Sequence, residues 1–207
     1  EWVNASQLSD WRNYMHQHLG WPHMLGGRHG DPNRGLDHSS ATSWSRGLDY
    51  SSYEHHQPSF DVYVAAMAAV PGQPVFSEDR FRIRQSERYR SKDYTEEMTR
   101  RGLWHSAMSG GVANIWGRLN GDMTINMVHG ISKEYRNHHW IRTWADFFEC
   151  RFQTDSFPAK GLSDGLCLKR DSNKDFVFYR EDCSSIQIDL SSMADSQPAV
   201  AVDTKQP

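Results

Sequence analysis

Leu8, Trp11, Met15 and Leu19 recur every three or four residues between polar neighbours, which predicts a helix. Asn4 and Gln7 stand before it as the two ends of a capping box, and Gly20 and Pro22 close it. The short run His23-Met24-Leu25-Gly26 predicts a buried strand, and the Gly, Asp, Asn, Ser and Arg of residues 27–46 predict a long functional loop. Leu48 to Tyr53 reads as the next strand. Ser59 then caps a helix with Phe60, Tyr63, Val64, Met67 and Val70 on its apolar stripe, ended by Pro71-Gly72. Pro74 to Ser77 is a third apolar strand, and Asp93 with Glu96 predicts the cap of a helix reaching about Met108. Gly110-Gly111 breaks that helix ahead of the strand Val112 to Trp116. A final helix carries Trp140, Trp144, Phe147 and Phe148.

Strict alternation of helix and strand over residues 1–149 predicts a parallel sheet built from right-handed crossovers. Short strands followed by long loops suit a (β/α)8 TIM barrel, with its site at the strand C-termini, and this stretch supplies about half of one. From about residue 153 the pattern changes. Leu166-Lys169, Phe176-Tyr179, Ile186-Leu190 and Ala199-Val202 read as short strands between Asp, Ser, Asn and Lys turns. That pattern predicts an antiparallel β-sandwich. The expected organisation is a half barrel over 1–152 and an incomplete sandwich over 153–207, with a boundary between Gln153 and Asp164.

Composition narrows the classes. The 207 residues hold 23 Lys and Arg against 26 Asp and Glu, a net charge of −3 that argues against a general nucleic-acid binder. The 8 Trp, 8 Tyr and 9 Phe argue against intrinsic disorder. No apolar run nears the roughly 20 residues that cross a bilayer, so no membrane span is expected. Cys150, Cys167 and Cys183 lack CxxC spacing and make weak zinc or redox candidates. The chain starts at Glu1 and stops just after a strand-like run, which predicts a fragment or one piece of a nicked protein.

The candidate chemistry gathers at the expected strand ends. Val75-Phe76-Ser77 delivers Glu78, and Arg80, Arg82 and Arg84 follow at once. A nearby cation favours the ionised carboxylate, the state that a nucleophile needs. The plain alternative is a carboxylate in a surface ion-pair network. Arg28 and His29 follow the first strand, Tyr50, Tyr53, Glu54, His55 and His56 the second, and Asn114 and Trp116 the fourth. Aromatic rings beside carboxylates, His and Arg suit a sugar, with rings stacked on its face and polar groups on its hydroxyls. Individually Trp116 reads as core and His55-His56 as a solvated turn. Asp31 to Asp37 resembles a calcium loop but lacks the distal bidentate Glu, so a turn-rich loop is the better reading. His16-x-His18 and His138-His139 have no third ligand at useful spacing, so neither metal nor cofactor is expected. With no GxGxxG and no GxxxxGK[ST], nucleotide chemistry is disfavoured.

The strand ending at Glu78, the Gly110-to-Trp116 strand and the trailing sandwich together resemble the C-terminal half of a clan A (β/α)8 glycoside hydrolase. The resemblance implies that Glu78 is the nucleophile of a retaining mechanism and that Trp116 lines the sugar subsite. It also implies that the acid/base lies at the end of the strand before the first helix, where Glu1 is the residue present. The implied substrate sites are Arg28, His29, Tyr53, Glu54, His55, Arg80, Asn114 and Trp116. A carbohydrate substrate, an extracellular or periplasmic location and a partner follow. That partner is the missing N-terminal half of the barrel or another copy of the chain. The alternative is a non-catalytic carbohydrate-binding or structural protein with a barrel-derived fold.

Overall fold

The computed structural model of the chain describes residues 4–20, 23–28, 47–53, 59–77, 91, 94–114, 137–149, 156–170, 172–196 and 198–206. The first helix, α1, spans Ala5–His18. Its capping box forms as the spacing predicts: the Asn4 side chain accepts from the Gln7 amide and the Gln7 side chain accepts from the Asn4 amide, both at 3.0 Å. None of its residues is buried, and Trp11 and Tyr14 are exposed. What fixes α1 is polar. The Arg12 Nε donates to Asp49 Oδ1 at 2.6 Å, and His16 Nε2 meets Oδ2 at 2.9 Å.

Three β/α repeats follow. The strands are β1 (Gly26–Arg28), β2 (Tyr50–Tyr53), β3 (Val75–Ser77) and β4 (Ala113–Asn114). The helices are α2 (Phe60–Ala68) before β3, α3 (Glu96–Met108) before β4, and α4 (His138–Phe148) after it. All neighbouring strands pair in parallel, in the order β1-β2-β3-β4. Parallel neighbours require a crossover, which α2 and α3 supply for the two later pairs.

The helix ends show which local signals hold. Ser59 occupies the N-cap position of α2, but its hydroxyl makes no capping bond; Asp61 in the first turn complements the helix dipole instead. Beyond α2, Gly72 takes φ +81°, a conformation that other residues adopt only with strain. The cap of α3 is Thr95, whose hydroxyl accepts from the Met98 amide at 3.1 Å, rather than the expected pair Asp93 and Glu96. A threonine three residues before the donor amide is the closer match to cap geometry. Gly110 at φ +95° turns the chain out of α3, and the Val112 amide then donates to Val75 O, which starts β4 in register with β3.

The tail holds β5 (Ser156–Ala159), β6 (Leu166–Arg170) and β7 (Phe176–Tyr179) as an antiparallel sheet. β5 falls within the stretch that the sequence assigned to the boundary. Its Pro158 is tolerated because, among the described residues, β5 pairs on one side only. The runs Ile186–Leu190 and Ala199–Val202 are not strands, apart from a single bridge between Ser163 and Ile188. The Gln187 amide donates to the Asp164 side chain and the Asp189 amide to Leu162 O, so this run binds a loop rather than a sheet edge. Among the described residues the two sheets have four and three strands, and both stay open.

Among the described residues three clusters hold these layers, the smallest of them Tyr94 and Leu103 packed against Ile141 and Trp144 of α4. Tyr53, Tyr63, Ala66, Val70 and Val75 join β2 and β3 to α2. Trp104, Ala107, Met108 and Phe148 of α3 and α4 join Leu168 and Tyr179 of the tail. The Trp104 and Tyr179 rings stack at 5.2 Å and 4°, with Phe148 5.3 Å from Trp104. The tail is thus packed along the seam between α3 and α4.

Candidate active site at the strand ends

Parallel register brings the ends of the four strands to one edge. Arg28 pairs with Ser52, Tyr53 with Ser77, and Ser77 with Asn114. In open and closed α/β sheets this C-terminal edge is where ligands bind, because the loops that leave it are free to vary. Glu78 follows Ser77 directly in the chain, Glu54 follows Tyr53, and Ile115-Trp116 follows Asn114.

The strands also fix which residues face which side. Side chains alternate along a strand, so Tyr50 and Tyr53, three residues apart, lie on opposite faces. Tyr53 is 0% exposed and packs edge-on to Tyr63 of α2 at 6.0 Å. Its ring belongs to the core between sheet and helix, which corrects its expected place among the sugar-facing residues. Tyr50 is partly exposed, and its ring lies over Gly26 in the paired register position of β1. A Cβ at Gly26 would run into that ring, so the glycine is what lets the aromatic lie flat across the strand. Tyr50, which the sequence reading grouped with the strand end, is the first residue of β2 and so lies at the opposite edge of the sheet from Tyr53, on the face away from α2.

Of the other expected site residues, Arg28 ends β1 and Asn114 ends β4. Glu1, His29, Glu54, His55, Glu78, Arg80 and Trp116 lie outside the described residues. The strands leading to this edge are held firmly, and so is the opposite edge, where β2 begins. Ser51, Ser52 and Ser77 are buried. Asp49, one residue before β2, receives Arg12, His16 and the Leu25 amide, while its own amide donates to Leu25 O. Burial pushes the Asp49 carboxyl up, but the Leu25 amide, Arg12 and His16 together outweigh it and hold the group below the usual range.

A second polar cluster lies between α3 and the tail, and the sequence reading did not single it out. Arg100 is 4% exposed; it donates to the Tyr179 hydroxyl at 3.0 Å, to Thr204 Oγ1 at 2.9 Å and to Glu97 at 2.9 Å. The Tyr179 hydroxyl donates to Glu181 at 3.0 Å, and Glu181 also meets Arg101 at 2.6 Å and His105 at 3.4 Å. Burial pushes Glu181 up, but the bonds from His105 and Tyr179 and the charges of His105 and Arg101 bring it down to about 2. Burial raises the Tyr179 hydroxyl, and its neighbours leave that direction unchanged. Burial pulls the Arg100 guanidinium down, yet Tyr179 and Glu97 leave it raised above its ordinary value. The signal for this cluster was present in the sequence: Arg100 shares the helical stripe of Leu103, Trp104 and Ala107, where a charge needs partners.

Among the described residues no three His, Cys, Asp or Glu side chains come together as a metal site, and no helix is long and apolar enough to cross a membrane. His16 is engaged with Asp49, and His18 stacks on Tyr14 at 4.3 Å. Comparison of the chain with family models, curated proteins and solved structures finds no match.

Proposed function

We propose that the chain is part of a retaining O-glycoside hydrolase whose reaction takes place at the C-terminal edge of the parallel sheet, with Glu78 as nucleophile. One observation carries this reading. The strand that leads into Glu78 lies between two parallel neighbours whose last residues, Tyr53 and Asn114, are both in register with Ser77. The backbone before Glu78 is thereby held by hydrogen bonds on both sides and not by a free loop.

In this reading Glu78 attacks the anomeric carbon and forms a glycosyl ester, while the leaving oxygen takes a proton from a second carboxyl. That carboxyl then activates water, which releases the sugar with retained configuration. Glu1 is the residue we propose for the second role. Arg80 keeps the nucleophile ionised, and the pair divides the work because one carboxyl stays charged and the other holds a proton. Trp116 supplies the aromatic wall. Arg28, His29, Glu54, His55 and Asn114 supply polar contacts to sugar hydroxyls. We propose that the outer edges of β1 and β4, each unpaired among the described residues, receive further strands that complete a barrel. The proposed substrate is a glycan met outside the cell or in the periplasm.

The test is Glu78→Gln in the full-length protein, assayed on aryl glycosides. An amide keeps the shape but cannot form the ester, so turnover should fall by several orders of magnitude with sugar binding nearly unchanged. A variant that keeps more than about a tenth of turnover, a barrier change under roughly 1.4 kcal/mol, would remove Glu78 from the role.

A further inference from the structure

The segment Asp203–Gln206 has no regular secondary structure, yet it binds two helices at once. It is folded on itself by the Lys205 amide, which donates to Asp203 Oδ1 at 2.9 Å, and by the Gln206 amide, which donates to Asp203 O at 3.1 Å. Thr204 accepts from the buried Arg100 of α3. Lys205 ion-pairs with Glu97 in the first turn of α3 and lies 5.5 Å above the Trp140 ring of α4. The Thr143 hydroxyl of α4 donates to Gln206 O at 2.6 Å. Asn137, the N-cap residue of α4, donates to Glu96 at the start of α3.

These contacts all fall on the N-terminal halves of α3 and α4. The opposite end of α3 is tied to the start of β4, through the Gly111 amide on Ser106 O and the Val112 amide on Val75 O. The first turn of α3 is roughly 18 Å further along the helix, at about 1.5 Å per residue, and it is the end that the chain enters from β3. The start of α4 is likewise the end entered from β4.

We infer that Thr204–Gln206 is a clasp that locks the N-terminal halves of α3 and α4 together and so sets the spacing of the β3–α3 and β4–α4 connections. The functional consequence rests on the reading above, because those connections carry Glu78, Arg80 and Trp116 in the chain. Thr204, Lys205 and their partners are positioning residues: they act on the site through the two helices they join. The tail is then a working part of the catalytic unit, and a long-range contact from residue 204 back to residue 100 closes it.

The experiment compares three variants in the full chain: Thr204→Val with Lys205→Met, Lys205→Arg alone, and a chain ending at Asp203. Hydrogen exchange is read by mass spectrometry, and kcat and KM are read on an aryl glycoside. The double variant should exchange about tenfold faster in residues 96–100 and 138–143, with β5, β6 and β7 unchanged. Its kcat should fall about tenfold at nearly constant KM, as loss of alignment requires. Lys205→Arg alone keeps the charge and should leave both readings at the parent's values. The chain ending at Asp203 should repeat the double variant's exchange pattern. Unchanged exchange in both helices, or faster exchange spread equally over β5–β7, would overturn the clasp. Faster helix exchange with kcat intact would overturn its positioning role. A parent protein without glycosidase activity would sink the preceding reading alone, because the exchange pattern still judges the clasp.

Discussion

Replacing Arg100 with Met tests how the tail is held. The substitution keeps an unbranched apolar stem in a 4% exposed site and deletes the guanidinium. Three bonds are lost: to Tyr179, Thr204 and Glu97. Glu97 is 44% exposed, so its ion pair is screened by water and contributes about 0–1 kcal/mol. The bonds to Tyr179 and Thr204 come from a charged donor, and such bonds contribute about 1.5–3 kcal/mol each. Burying a Met in place of a desolvated cation returns part of that loss. The expected net destabilisation is about 3 kcal/mol, and about 6–12 °C in Tm for a chain of this size. The assay is urea unfolding at neutral pH, followed by tryptophan fluorescence, with Arg100→Met, Tyr179→Phe and the double variant run as a cycle. The two single losses should not add, because both remove the same bond. A loss under about 1 kcal/mol for Arg100→Met, or strict additivity in the cycle, would refute the network as the tie between tail and helices.

Three further outcomes follow from other contacts in the fold. Glu181 has its pKa lowered in the fold, so its contribution is fully present above pH 4.5 and is lost as pH falls through about 2; Glu181→Gln should flatten the decline in stability over that acid range, leaving the slopes due to Asp49 and Glu97. Phe148→Ala, at a 1% exposed position touching Trp104, Trp144 and Phe147, should cost about 3–5 kcal/mol in unfolding free energy. Gly26→Ala should cost about 1–3 kcal/mol because its methyl meets the Tyr50 ring, and Tyr50→Ser in the same chain should relieve it.

Signals that act within a few residues were legible in the sequence. The Asn4–Gln7 box, the Gly72 and Gly110 turns and the cores of β2, β3, β6 and β7 all stand where pattern and spacing put them. Signals that depend on distant partners were not. Ile186–Leu190 and Ala199–Val202 alternate like strands but meet no sheet edge, and Val200 stays 81% exposed. β5 is short and contains Pro158, so only its partner β6 reveals it. Tyr50 and Tyr53 look equivalent in the sequence until the bounds of β2 set them at its opposite ends and Tyr63 on α2 fixes the face of Tyr53. The candidate site was read from the residues that follow each strand. The structure describes the strand ends themselves, and Arg28, Tyr53, Ser77 and Asn114 are those ends.

The central claim, that Glu78 is the nucleophile, is tested most directly by trapping its ester. The full-length protein is incubated with a panel of 2-fluoroglycosyl fluorides, which slow hydrolysis of a glycosyl-enzyme more than its formation. The account predicts a mass increase of one fluoroglycosyl group, loss of activity in step with labelling, and a single modified peptide in which fragmentation places the sugar on Glu78. Label on another carboxylate, or full turnover of a matching glycoside with no label on Glu78, would contradict it.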